Sequence, residues 1–122
     1  MIKRLDISGV SMDIDPKLEK YIMRKIGNLD RFVPRHKRES MHAEVKLRED
    51  NASDKRDRVC EVILHLPQET IIVKENTISM FAAVDIAETK LRIQLKKYKD
   101  THSSLALHKR ILRRFKHMPE AI

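Results

Sequence analysis

Between Thr89 and Lys99 the chain carries five cations, Lys90, Arg92, Lys96, Lys97 and Lys99, and no acidic residue. Cations near a helix C-terminus offset the macrodipole, which accounts for one or two of them. Five within about three turns make a surface suited to an anion. A second basic group stands earlier. Lys17, Lys20, Arg24 and Arg31 fall in one narrow arc of a helix, about 180° from Ile22, while Glu19 and Asp30 lie on other sides. Any surface helix has a charged back face, but segregation by sign is less common and points to an anion-facing role. Arg35, Lys37 and Arg38 add positive charge just beyond.

Other residues with chemical potential read as structural. The six histidines invite a metal or catalytic reading. His42 and His65 fall on adjacent predicted strands and share the outer face, yet two ligands do not make a metal site. Solvated surface histidines are expected. Cys60 alternates with Val62 and Leu64, as a small core residue does. Two glycines in all exclude a Gly-rich phosphate loop. Asp13 and Asp15 sit at a helix start and read as capping groups. No enzyme, cofactor or metal is expected.

The elements that carry these residues follow from apolar spacing. The longest periodic run is Asn76 to Lys99, where Met80, Val84, Ala87, Leu91, Leu95 and Tyr98 recur at steps of three or four. That stripe predicts a helix, with Asn76, Thr77 and Ser79 all eligible as N-cap. Residues 2–10 read as a short strand with Leu5 and Ile7 on one face, ended by Gly9. Asp15-Pro16 is a helix start. Leu18, Ile22, Ile26, Leu29 and Val33 form the buried stripe of a first helix that runs to Pro34, with Tyr21, Lys25 and Phe32 flanking it. Gly27 in its middle implies close packing or a late fray. Residues 39–49 and 58–66 alternate as half-buried strands around a polar hairpin loop at 48–58, and Thr70–Lys74 forms a last strand. Val59, Ile63 and Ile72 then point to the other face.

The expected fold class is α+β, in the order β-α-β-β-β-α: a four-stranded mixed sheet with two helices packed on one face. The first two strands are parallel and joined by a right-handed connection. The helices lie side by side, which sets their basic faces next to one another. The expected division is a domain at 1–100 and a basic tail at 101–122.

Composition agrees. Of 122 residues, 36% are charged and only 4% aromatic, so the core must be aliphatic. A net charge of +8 and a pI near 9.8 favour nucleic acid or an anionic surface as partner. No apolar run approaches the ~18 residues of a membrane span, and the N-terminus lacks the apolar stretch of a signal peptide. One cysteine excludes an intramolecular disulfide and fits a reducing cytoplasm.

Two segments resemble a known family. DISGVSMDIDPKLEKYIMRKIGNLDRF (6–32) and MFAAVDIAETKLRIQLKKYKD (80–100) are similar to the ribosome hibernation promoting factor family, also called ribosome-associated inhibitor, protein Y or sigma-54 modulation protein. The family pattern has a small residue and Gly ending a strand, here Ser8-Gly9. Its first helix carries Leu18, Tyr21, Ile22, Lys25 and Ile26. Its second runs from Met80 to Asp85 and closes with Lys90, Leu91, Gln94, Leu95, Lys97 and Lys99. The similarity covers about residues 2–100.

The resemblance implies a cytoplasmic protein that silences ribosomes in stressed or stationary cells. It would bind the small ribosomal subunit near the decoding centre, in the path of mRNA and of the A- and P-site tRNAs, through contacts from both helices to rRNA. The matched polar residues are Lys25, Lys90, Gln94, Lys97 and Lys99; charge mapping adds Lys20, Arg24, Arg31 and Arg92. No membrane and no small-molecule substrate is implied, and the protein would be a monomer away from the ribosome. Ile93 is a departure: several members carry Arg there, whereas Arg92 here sits about 100° around the helix. The tail is another. Long members add a linker and a dimerising domain, and 101–122 is too short for one. Leu107, Ile111 and Phe115 are spaced for a short basic helix; a basic arm that orders on rRNA is the alternative. The competing functions are a general double-stranded RNA binder and a protein-binding modulator of transcription.

Overall fold

The computed structural model describes residues 1–49 and 58–102. Four strands, β1 (Arg4–Val10), β2 (His42–Glu49), β3 (Arg58–Leu66) and β4 (Glu69–Thr77), form one sheet in that spatial order. β1 runs parallel to β2, with Leu5 opposite Ala43. The other neighbours are antiparallel, with Val45 opposite Val62 and Val62 opposite Val73. Helices α1 (Pro16–Gly27) and α3 (Met80–His102) pack on one face; a short helix, α2 (Arg35–Arg38), lies between α1 and β2. The α+β order and the strand directions are those expected.

The core lies between that face and the helices. Ala43, Val45, Leu47, Cys60, Val62, Leu64, Ile71 and Val73 point inward from the sheet, because side chains alternate along a strand. They meet Leu18, Ile22 and Ile26 of α1 and the whole Met80–Val84–Ala87–Leu91–Leu95–Tyr98 stripe of α3, all buried. Among the described residues the opposite face carries no helix. There Ile72 is exposed and Ile63 half-buried, but Val59 is buried in a hollow lined by Val10, Lys46, Arg48 and Lys74.

The two long helices, α1 and α3, both start with side-chain caps. Asp15 accepts the Lys17 backbone N–H at 2.8 Å, with Pro16 in the first helical position. Of the three eligible caps for α3 the structure uses Ser79, whose hydroxyl accepts from the Ala82 N–H at 3.4 Å and whose carbonyl accepts from Ala83 at 2.9 Å.

Several elements differ from expectation in their bounds, and one was not expected at all. The first helix stops being α-helical at Gly27 and continues as a 3-10 turn, Asn28–Phe32. The reason is the N-terminal segment: Ile2 donates its N–H to the Gly27 carbonyl at 2.8 Å, and the Met1 ammonium meets Asp30 at 2.9 Å. A β-carbon on Gly27 would lie 3.1 Å from Met1 Cγ and Cε and would press on that side chain. The α2 turn was not anticipated because its four residues, Arg35 to Arg38, are all polar. β4 runs on to Thr77, where Glu75, Asn76 and Thr77 pair with Cys60, Val59 and Arg58 without an apolar alternation to announce it. β1 continues one residue past Gly9 to Val10. The hairpin loop expected at 48–58 falls, between Asp50 and Asp57, outside the described residues, as does the tail from Ser103 onward.

Gly9 is required by close approach. A β-carbon there would stand 2.5 Å from the Met12 carbonyl oxygen. Backbone cannot step aside as a flexible side chain can. Gly9→Ala should therefore cost about 1–3 kcal/mol, read as a lower thermal midpoint. An unchanged midpoint would contradict this packing.

Candidate nucleic-acid interface

α1 and α3 are joined along their seam by a small polar network around Asp85. The Tyr21 hydroxyl donates to the Asp85 carboxylate, and Lys25 Nζ lies 3.6 Å from the same oxygen. This hydrogen bond, with some burial, raises the Tyr21 pKa above its usual value and keeps the phenol protonated. One turn on, Arg24, Lys25, Asn28 and Arg31 face Glu88 and Arg92 across a cleft between the helices, floored by Leu29 and Phe32. Arg92 Nε lies 3.5 Å from Glu88, a carboxylate only 8% exposed, so part of its charge is used to neutralise a buried acid. The Arg31 guanidinium lies 4.8 Å from the centre of the Phe32 ring. The seam is thus cationic on balance, with its two acids already paired.

A second cluster stands on the other flank of α3. Lys90, Gln94 and Lys97 line a groove with Ile93 and Glu69 at the β3–β4 turn. Lys90 is not a free surface cation: its ammonium pairs with Glu75 on β4. Lys90 and Arg92 are two positions apart, so about 200° of helix separates the two clusters. The nine residues singled out from sequence therefore form two sites. Arg24, Lys25, Arg31 and Arg92 come together in the seam; Lys90, Gln94 and Lys97 come together on the far flank. Lys20 is exposed, one turn before Arg24, and Lys99 is exposed two turns beyond Arg92 on the same side of α3.

Asn28 was not anticipated as a site residue. It follows Arg24 by four and precedes Arg31 by three, so the helical spacing that linked those two also reaches it.

Cys60 lies in the core as expected, whereas His42 and His65 are half-buried and engaged rather than freely solvated. Cys60 is fully buried, and burial, with Glu75 nearby, pushes its thiol pKa up to about 12, so it stays protonated. His42 and His65 are cross-strand neighbours with rings stacked at 4.2 Å, and His65 Nε2 lies 2.8 Å from Glu44. That contact holds the Glu44 carboxyl below its usual pKa. Among the described residues no group of three or more His, Cys, Asp or Glu is placed to hold a metal ion, and no helix is long and apolar enough to cross a membrane.

The family model described as Sigma 54 modulation protein / S30EA ribosomal protein matches residues 5–103. The chain belongs to this family. The matched range begins within β1 and runs past the end of α3, so it holds the sheet and both long helices. Among curated members, the ribosome hibernation promotion factor of Staphylococcus aureus (strain COL) is 29% identical over 96 residues, 79% of this chain and 48% of that protein. That of Bacillus subtilis (strain 168) is 29% identical over 94 residues, 77% and 47% respectively. The chain spans about half the length of the curated family members it matches. Among solved structures, the N-terminal domain of Thermus thermophilus protein Y superposes with a TM-score of 0.64 at 27% identity, over 80% of this chain and 97% of that one. A ribosomal subunit interface protein from Coxiella burnetii gives 0.63 at 25% identity, over 79% and 97%. The family fold expected from the two helical segments is the fold observed.

Proposed function

We propose that this protein is a ribosome hibernation factor, a non-catalytic inhibitor of translation. It acts in the cytoplasm by binding rRNA of the small ribosomal subunit near the decoding centre, and it reaches the ribosome as a monomer. The observation that carries this reading is a coincidence. The two helices that bear the family pattern are the two that bear the cationic clusters, and both clusters lie on the helical side of the sheet. Phosphates meet Arg24, Lys25, Arg31 and Arg92 along the seam, with Lys20 and Lys99 extending it at either end. Lys90, Gln94 and Lys97 hold a second stretch of backbone on the far flank. Lys25 and Arg92 arrive already oriented by Asp85 and Glu88, which lowers the entropy lost on binding. A domain seated this way inhibits by occupancy, because mRNA and tRNA need the same space.

If about five of these cations each take a phosphate, ribosome affinity should show a log–log salt slope of roughly −3 to −5. Cosedimentation with small subunits across a salt series, with and without excess duplex RNA, measures this. Retention against duplex with a steep slope is the expected result. A salt-independent affinity would remove the phosphate interface, and full displacement by duplex would favour a general duplex binder.

A further inference from the structure

We propose that Phe81 and Tyr21 form a stacking platform for one unpaired nucleobase, so that the interface reads RNA bases as well as phosphates. The inference rests on the rRNA-binding reading above and adds a different kind of contact to it. Phe81 sits in the first turn of α3, yet it is 43% exposed, more than any other Phe or Tyr among the described residues. Its neighbours Met80 and Val84 fill the core without it. What it touches is Tyr21 of α1, edge to face, with ring centroids 5.1 Å apart and planes at 64°. That arrangement joins the two rings along one side and leaves ring surface open to solvent.

The platform is rigid before anything binds. Tyr21 is held by its hydrogen bond to Asp85, and Asp85 also holds Lys25. Two cations lie over the Tyr21 ring, Arg24 at 5.4 Å and Lys25 at 5.7 Å from its centre. An aromatic face bordered by cations is the arrangement by which proteins bind unpaired nucleotides: the ring takes the base and the cations take the phosphate. An apolar peptide would use the ring but leave Arg24 and Lys25 without a role. A fully paired duplex would use the cations but have no free base for the ring. The platform adjoins the cationic cleft directly, since Tyr21 precedes Lys25 by one helical turn and Phe81 precedes Asp85 by one.

The test uses the full chain with Phe81→Leu, which keeps an apolar side chain without a π face, and Phe81→Tyr, which keeps the ring. Thermal unfolding checks that both fold. Affinity for isolated small subunits is measured across a salt series, with a fully paired RNA duplex as the second ligand. Phe81→Leu should bind small subunits about 5- to 150-fold more weakly at every salt concentration, with the salt slope unchanged. Phe81→Tyr should stay near wild type, and duplex affinity should not move in either variant. Wild-type affinity in Phe81→Leu, a changed slope, or an equal loss on duplex would each overturn the stacking platform while leaving the phosphate interface standing. Failure of the wild-type protein to bind small subunits would overturn the reading beneath both.

Discussion

Leu91→Ala should lower the free energy of unfolding by about 2–5 kcal/mol, the usual range for a large core side chain cut back to a methyl group. Leu91 is fully buried at the middle of α3, inside the stripe that meets the sheet. A cavity there cannot collapse easily, because strands β3 and β4 on one side and the helix itself on the other are tied by backbone hydrogen bonds. A domain of this size has only about 5–15 kcal/mol of stability in total, so the thermal midpoint should fall by about 8 °C or more, at about 4–8 °C per kcal/mol. Its neighbours Lys90 and Arg92 point to the two flanks rather than inward. The fraction that remains folded should therefore keep its ribosome affinity. A midpoint within a degree or two of wild type would show that α3 is not packed as described.

Lys90→Ala combined with Lys97→Ala should produce the complementary phenotype, with ribosome binding weakened and inhibition of cell-free translation relieved. Removing two phosphate contacts should make the salt slope shallower by about two. The two lysines differ in what they do for the fold. Lys97→Ala should leave stability within about 0.5 kcal/mol, as surface changes usually do. Lys90→Ala deprives Glu75 of its partner, and that carboxylate is only 14% exposed. The cost should be about 1–3 kcal/mol. Adding Glu75→Gln should recover much of that stability without restoring binding, which separates the two roles of Lys90. A folded double variant that binds and inhibits like wild type would remove the far-flank cluster from the interface.

The stripe of α3 and the alternation of β2 and β3 were legible in the sequence because one face of each element is buried and the other is not, which imposes a period. Features set by tertiary contact were not legible. The switch from α-helix to 3-10 turn at Gly27 depends on Ile2 and Met1 docking from 25 or more residues away, and nothing in the local spacing announces it. The extension of β4 through Glu75 to Thr77 comes from pairing with β3, not from its own polar residues. For the interface, spacing gave each helix its cationic arc. It could not show that Lys90 is engaged by Glu75, nor that Arg92 crosses into the seam while Lys97 stays outside it. The contact of Phe81 with Tyr21 was hidden for the same reason: it joins residues 60 positions apart, and local spacing carries no sign of it.

In the proposed complex the helical side of this domain lies against rRNA near the decoding centre. Chemical footprinting of the small subunit, with and without the protein, tests it most directly. The expected protections are confined to rRNA lining the mRNA and tRNA path, lost at high salt and lost in the Lys90/Lys97 double variant. Protections elsewhere on the subunit, or none under conditions in which the protein cosediments with it, would contradict it.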